Sequence, residues 1–299
     1  MKKLTLILAL TSLLFASCEK DITVNFPQPP ELIVVEGHIE PGGFAYVHLT
    51  KNSSYFAPTD LATIMNYVIL DATVVVSDGQ INDTLHLTLN PAIDPYFPIS
   101  LLYVGTTIIG QPNHSYTLKV ITKDGKTVTA TTTIPSLIPL DSTWFKVEAN
   151  MDSLGFIWGH LHDPDTMGNA YRWMVKRINH YADGKQKDLG FIADLNSVFD
   201  DKVINGKSFD GNFNRPHLSH DTSADNHNIE NQMFKKGDTI VLKFMTIDQA
   251  HFKFWQTEGI AAQGSGNPFA APTIIKGNII GGLGIWGGYG TTYDTIIAK

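Results

Sequence analysis

Few residues of this chain have types and spacings that could do chemistry, and their neighbours decide what each can do. Gly282-Leu283-Gly284-Ile285-Trp286-Gly287 has the glycine spacing of a dinucleotide fingerprint. That motif cradles pyrophosphate only where a helix follows, with an acidic residue ~20 positions on. Twelve residues remain here and they read as another strand, so the expectation is a glycine-rich strand that admits a close neighbour. Gly206-Lys207-Ser208 ends like a phosphate loop, but Asp201 stands where the first glycine is required, which leaves a surface loop. Asp210, Asn212, Asn214 and Asp221 have calcium-loop spacing. Arg215 takes the place of the glycine on which that loop turns, and the bidentate glutamate is missing, so a solvated loop is the simpler reading. In Asp163-Pro164-Asp165 the next ligand position is Met167, and an Asx turn is expected instead.

Among eleven histidines, His160 and His162 would share one face of a strand, while His217, His220 and His227 cluster in a polar stretch. Zinc requires a third, rigidly held ligand and a second shell, and neither an HExxH pattern nor a cysteine pair supplies them. Asp200 and Asp201 are adjacent, which points them apart in a strand. With no Gly-x-Ser-x-Gly, Ser-x-x-Lys or cysteine nucleophile, the sequence assigns no catalytic residue, no metal site and no cofactor. The aromatic set remains: Trp144, Trp158, Trp173, Trp255 and Trp286 with Phe252, Phe254 and Tyr289. Three of the tryptophans read as core. Trp286 and Tyr289, near the glycine-rich end, are the better candidates for an exposed platform for a sugar or protein, with His217 and His220 on the same candidate partner surface, and packing is the alternative reading for this pair too.

The elements that must position these groups are strands. In Asp83 to Leu89, leucines 85, 87 and 89 alternate with Thr84, His86 and Thr88, and Ala45, Val47 and Leu49 alternate with Tyr46 and His48. Asp78-Gly79, Asp124-Gly125 and Asp183-Gly184 supply hairpin turns. Leu154, Phe156 and Trp158 share one face of a strand, as do Tyr171, Trp173 and Val175 of another. Asp248 is a candidate N-cap for a short helix from Gln249 to about Ala262. The reading is a mainly β chain of two antiparallel, immunoglobulin- or fibronectin-like sandwiches, the second with one short helix. The first covers residues 31–134 and the second 141–299, with a linker at 135–140 and a long loop at 200–238. The net charge of -7, with 22 basic residues against 29 acidic ones, leaves no basic stripe and excludes nucleic acid as the expected partner.

At the N-terminus, Lys2 and Lys3 precede an apolar run from Leu4 to Phe15, then Ala16, Ser17 and Cys18, the one cysteine of the chain. The run is shorter than the ~20 residues of a membrane span. It reads as a lipoprotein signal over 1–17, with Cys18 as the lipid acceptor and 18–30 as a proline-bearing tether. Several acyl chains, at ~0.8 kcal/mol per buried methylene, would hold such a protein durably.

These segments together resemble the family of Bacteroidota lipoproteins known as domain of unknown function 4249. The resemblance rests on Ser17-Cys18-Glu19, on Leu32 to Ile39, on Ile134-Pro135 leading to Leu140-Asp141-Ser142-Thr143-Trp144-Phe145, and on Asn267-Pro268-Phe269, Pro272-Thr273 and Asn278 to Gly287. Where this chain has His38 and Trp286, members carry an aromatic residue and a phenylalanine. The resemblance implies an envelope lipoprotein whose genes often neighbour TonB-dependent outer-membrane receptors, and no established catalytic residues. The expectation is a non-catalytic outer-membrane lipoprotein, lipid-anchored through Cys18 at the cell surface, that partners a β-barrel transporter. Two other readings are a surface adhesin or glycan-binding module and a metal-assisted hydrolase built on the loop histidines.

Overall fold

Period-two burial organises the chain from its first strand. In the computed structural model, which describes residues 30–53, 60–90, 100–216, 232–264 and 273–299, β1 (Ile33–Ile39) and β2 (Phe44–Lys51) bury every second residue. After α1 (Leu61–Tyr67), capped by Asp60 accepting from the Thr63 amide at 3.0 Å, come β3 (Thr73–Ser77), β4 (Asn82–Thr84), β5 (His86–Asn90) and β6 (Ser100–Ile109). The Asp124-Gly125 turn joins β7 (Ser115–Ile121) to β8 (Thr127–Thr133) as expected. One sheet carries β1-β2-β6-β5 and the other β4-β3-β7-β8. Their facing sides enclose Val35, Val47, Leu49, Val74, Val76, Leu118 and Val120.

The leucine strand read over 83–89 is in fact two strands. At Leu85, 4% exposed, the chain leaves the second sheet for the first, and Leu87 and Leu89 are exposed. Asp83 explains the break. It is 2% exposed, and its Oδ2 accepts the amides of Thr106, Thr107 and Ile108 at 2.8–3.0 Å. Burial opposes that carboxylate, but the three N–H donors outweigh it and lower its pKa. Tyr116 closes the same sandwich, its hydroxyl accepting the Gln111 amide at 2.8 Å, the device called a tyrosine corner in immunoglobulin-type folds.

The second sandwich follows: β9 (Ser142–Val147), β10 (Leu154–His162), β11 (Ala170–Arg177), β12 (Val198–Asp200), β13 (Ser208–Phe213), β14 (Phe234–Lys235) and β15 (Thr239–Ile247). Two strands therefore lie inside the stretch 200–238 that was expected to be a loop. Phe213 is buried against Trp173, and the outward Asp210 and Asn212 masked that period in the sequence. Leu154, Phe156 and Trp158 share one face of β10 as expected, and it is the outer one. Ile157 and Leu161 enter the core, whereas those three lie half-buried. Gly155 and Gly159 occupy the inner row because a Cβ at Gly155 would lie 2.1 Å from the Lys146 carbonyl oxygen. Helix α2 (Gln249–Gly264) starts at Asp248, which accepts the His251 amide at 2.9 Å, and buries Phe252 against Met245 and Ile247.

The last two strands, β16 (Leu283–Gly288) and β17 (Gly290–Ile297), part company. β17 pairs with β15, but β16 runs parallel to β1, with Val34 opposite Leu283 and Ile39 opposite Gly288. Residues Glu31 to Lys299 thus form one compact unit. The first core, although it is otherwise built from residues 33–134, holds Trp286 at 0% exposure, and the Trp286 indole N–H donates to the Tyr116 carbonyl at 3.0 Å. Gly284, at φ +102°, permits the pairing, since a Cβ there would lie 1.9 Å from the Val35 carbonyl oxygen. The free edge of β16 is closed by a side chain. Asn278 accepts the Trp286 amide and donates to its carbonyl, both at 2.9 Å. The segment 135–140 is tied at both ends, Ser136 donating to Asn113 and the Ile138 amide to Thr246. Trp286→Ala is expected to cost about 3–5 kcal/mol of stability, as for other buried tryptophans. Urea unfolding measures it, and a loss below about 1 kcal/mol would contradict this packing.

Candidate functional site

A gathering of charged and aromatic side chains lies where the outer face of β1 and β2 meets β11, β15, β17 and α2. His38 stacks on Tyr289 at 5.7 Å and approaches Tyr46 at 5.6 Å between ring centroids. Alternation places it there, since Ile33, Val35 and Ile39 face the core and leave Glu36 and His38 outward. Glu40 continues the row and is bonded by the Lys243 ammonium and, at 3.2 Å, by the Tyr293 hydroxyl. Lys243, 9% exposed, also lies 5.6 Å from the Phe191 ring and 5.9 Å from that of Tyr293. From β11, Arg172 stacks 3.4 Å over the Trp255 ring, and the Trp255 N–H donates to the Tyr289 hydroxyl at 3.2 Å. Arg172 is 8% exposed, and its Nε is among the buried donors without a hydrogen-bond partner.

Burial and charge set the protonation of this cluster. Burial pushes the His38 pKa down to about 4; Glu40 pulls it back in part, and Lys243 and Arg172 add to the depression. Burial opposes the Glu40 carboxylate, but the neighbouring positive charges and the bonds from Lys243 and Tyr293 outweigh it and hold its pKa low. Burial lowers Arg172, against the pull of Tyr289, Glu36 and Glu258, and raises Glu258. It also raises the Tyr289 hydroxyl to about 12 and raises Tyr293. At neutral pH the tyrosines therefore stay protonated hydrogen-bond donors, His38 is uncharged and Glu40 is occupied. Such a cluster holds charge in register between two packed layers.

Of the two readings of Trp286 and Tyr289, packing is the one observed. Tyr289 is 5% exposed and Trp286 fully buried, because β16 enters the first sandwich instead of lying on the surface. Tyr289 belongs to the cluster just described, at its floor. Cys18, His217, His220, His227 and Asp221 lie outside the described residues. His160 and His162 do share a face, but each bonds across to β13, His160 to Asp210 at 2.6 Å and His162 to Ser208 at 2.8 Å. Asp210 and Asn212 are strand residues and no part of a calcium loop. Asp163 accepts from the Tyr171 hydroxyl and the Gly206 amide, and Asp201 from the amides of Gly168 and Asn169 at 2.6 and 2.7 Å, so these acids brace turns. Among the described residues no three His, Cys, Asp or Glu side chains gather as a metal would require. Sequence reasoning missed Glu40, Arg172 and Lys243, whose one signal was charge within or directly after otherwise apolar strands.

A two-sandwich β fold with a polar and aromatic cluster where its layers meet defines the class. The chain matches the family described as "Domain of unknown function (DUF4249)" over residues 19–295, and it belongs to that family. No curated protein matches it.

Since His38 titrates near pH 4 in the folded chain and near 6.5 when unfolded, the unfolded state binds more protons between those values. Stability contributed by His38 is therefore full above pH 6.5 and falls as the pH drops toward 4. Unfolding at pH 6.5 and 4.5 should show a smaller difference in His38→Gln than in the wild type, and an equal difference would contradict the assignment.

Proposed function

We propose that this protein is a non-catalytic envelope lipoprotein, anchored in the outer membrane through Cys18 and exposed at the cell surface, where it serves as an accessory partner of a β-barrel transporter. The observation that carries the reading is the position of the single cysteine, which directly follows the apolar run Leu4 to Phe15. The family match begins one residue after it. In the polar cluster Glu40 is bonded by Lys243 and Tyr293, and the Tyr289 hydroxyl is held protonated, which fits a bracing role. The resemblance noted above supplies the transporter as partner. Cys18→Ala should leave the membrane fraction and lose incorporation of a palmitate analogue. A tagged wild-type chain drawn from gently solubilised outer membrane should bring a large barrel with it in stoichiometric amount. Retention of the variant in the membrane, or recovery of the chain alone, would contradict the proposal.

A second reading, a glycan-binding module, is favoured by a specific feature. Trp144 and Trp158 are direct partners across β9 and β10, both half-buried on the outer face, and the Lys146 ammonium lies 5.1 Å from the Trp158 ring. Paired indoles beside hydrogen-bonding groups offer stacking surface for sugar rings. On a glycan array, Trp158→Ala should abolish any signal of the wild type, and an undiminished signal would remove this reading.

A further inference from the structure

At one end of the first sandwich, the start of β1, the end of β2, the segment after α1 and the β7–β8 turn enclose a cleft of about 430 Å3. Lys51, Lys123 and Lys126 line it together with Glu31, Asp71 and Asp124, over apolar Leu32, Ile33 and Ile69. Four of the charges form a fixed frame. Glu31 accepts from Lys126 at 2.9 Å and from Lys51 at 3.2 Å, and Lys126 lies 3.2 Å from Asp124. The hydrogen bonds from Lys126 and Lys51 hold the Glu31 pKa below its usual value, so the frame stays charged. Lys123 and Asp71, by contrast, make no hydrogen bond or ion pair with the described residues. They enter from different segments of chain and leave one cation and one anion open to the cleft.

We propose that this cleft binds a zwitterionic phosphate ester of the phosphoethanolamine type, the phosphate at Lys123 and the ammonium at Asp71. Three cations and three carboxylates sum to zero, so a lone phosphate meets as much repulsion as attraction, whereas a ligand with separated charges matches both. Two sources carry this chemistry, a membrane headgroup and a free metabolite. The membrane source rests on the lipid-anchor reading above. Glu31 and Leu32 follow directly on the tether, and twelve residues separate Cys18 from Glu31, a reach of at most roughly 45 Å when extended.

The test titrates the purified full-length protein, in phosphate-free maltoside detergent, with glycerophosphoethanolamine, glycerol phosphate and ethanolamine. Glycerophosphoethanolamine should bind at least tenfold more tightly than either half. Lys123→Ala and Asp71→Asn should each weaken it at least fivefold with the melting temperature unchanged. A half-molecule that binds equally well, or wild-type affinity in both variants, overturns the proposal. Hydrogen exchange at residues 122–126 then separates the sources, in nanodiscs of phosphatidylethanolamine and of phosphatidylglycerol. Slowing in the first alone assigns the headgroup, slowing only by the free compound assigns a soluble ligand, and slowing by neither overturns the proposal. The titration needs no anchor. A Cys18→Ala chain that leaves the membrane fraction yet still binds glycerophosphoethanolamine supports both readings, while one that stays in the membrane refutes the anchor and leaves the cleft standing.

Discussion

The parallel pairing of β16 with β1 joins residues about 250 positions apart, and both halves of the molecule are arranged around it. Its side-chain component is Trp286, which completes a core otherwise supplied by residues 33–134. Its backbone component is the bond set of Asn278, which gives the edge of β16 the partners a neighbouring strand would have given. The buried His251 adds a third tie. Its Nε2 donates to the Trp286 carbonyl at 2.9 Å, while its Nδ1 faces Asp248 at 2.6 Å, so the first turn of α2 is fastened to the strand it helps to place. A buried carbonyl with two donors and a buried indole with an acceptor leave no orphaned polar group at the joint.

The polar cluster follows from the same joint. β16 and β17 are separated by a single residue, Tyr289, so once β16 pairs with β1 and β17 with β15, the Tyr289 ring has to lie between His38 and Trp255. Charges brought there from both layers must pair or remain unpaired at a cost of several kcal/mol each, and Lys243 with Glu40 meets that demand across 203 positions of chain. These groups therefore brace the molecule.

Much of the fold was legible because turn residues and alternation act locally. Asp124-Gly125, Asp183-Gly184 and the Asp248 cap all fall where their chemistry requires, and the mainly β sandwich class follows from them. Trp286 was open to two readings for a physical reason: its strand is glycine-rich, which marks close approach, but a sequence does not say whether the partner is a ligand or a strand 250 residues away. Asp83 shows the converse. Flanked by Asn82 and Thr84, this acid carries no local sign of burial, yet three backbone amides of β6 make it a buried acceptor. In β10 the inward row is half glycine, so the aromatic row beside it carried the stronger hydrophobic signal on the outer face. Cluster residues such as Arg172 and Lys243 were illegible because long-range pairing alone gives their charge a context.

The account holds that the last glycine-rich strand is a structural member of the first sandwich and opens only when that sandwich unfolds. Native-state hydrogen exchange across increasing denaturant measures this directly. Amides of Ile285 to Gly288 and of Val35 to Ile39 are expected to exchange with one common opening free energy, equal to that of global unfolding. Exchange of Ile285 to Gly288 at a clearly lower free energy, with β1 still protected, would show a detachable strand and contradict the account.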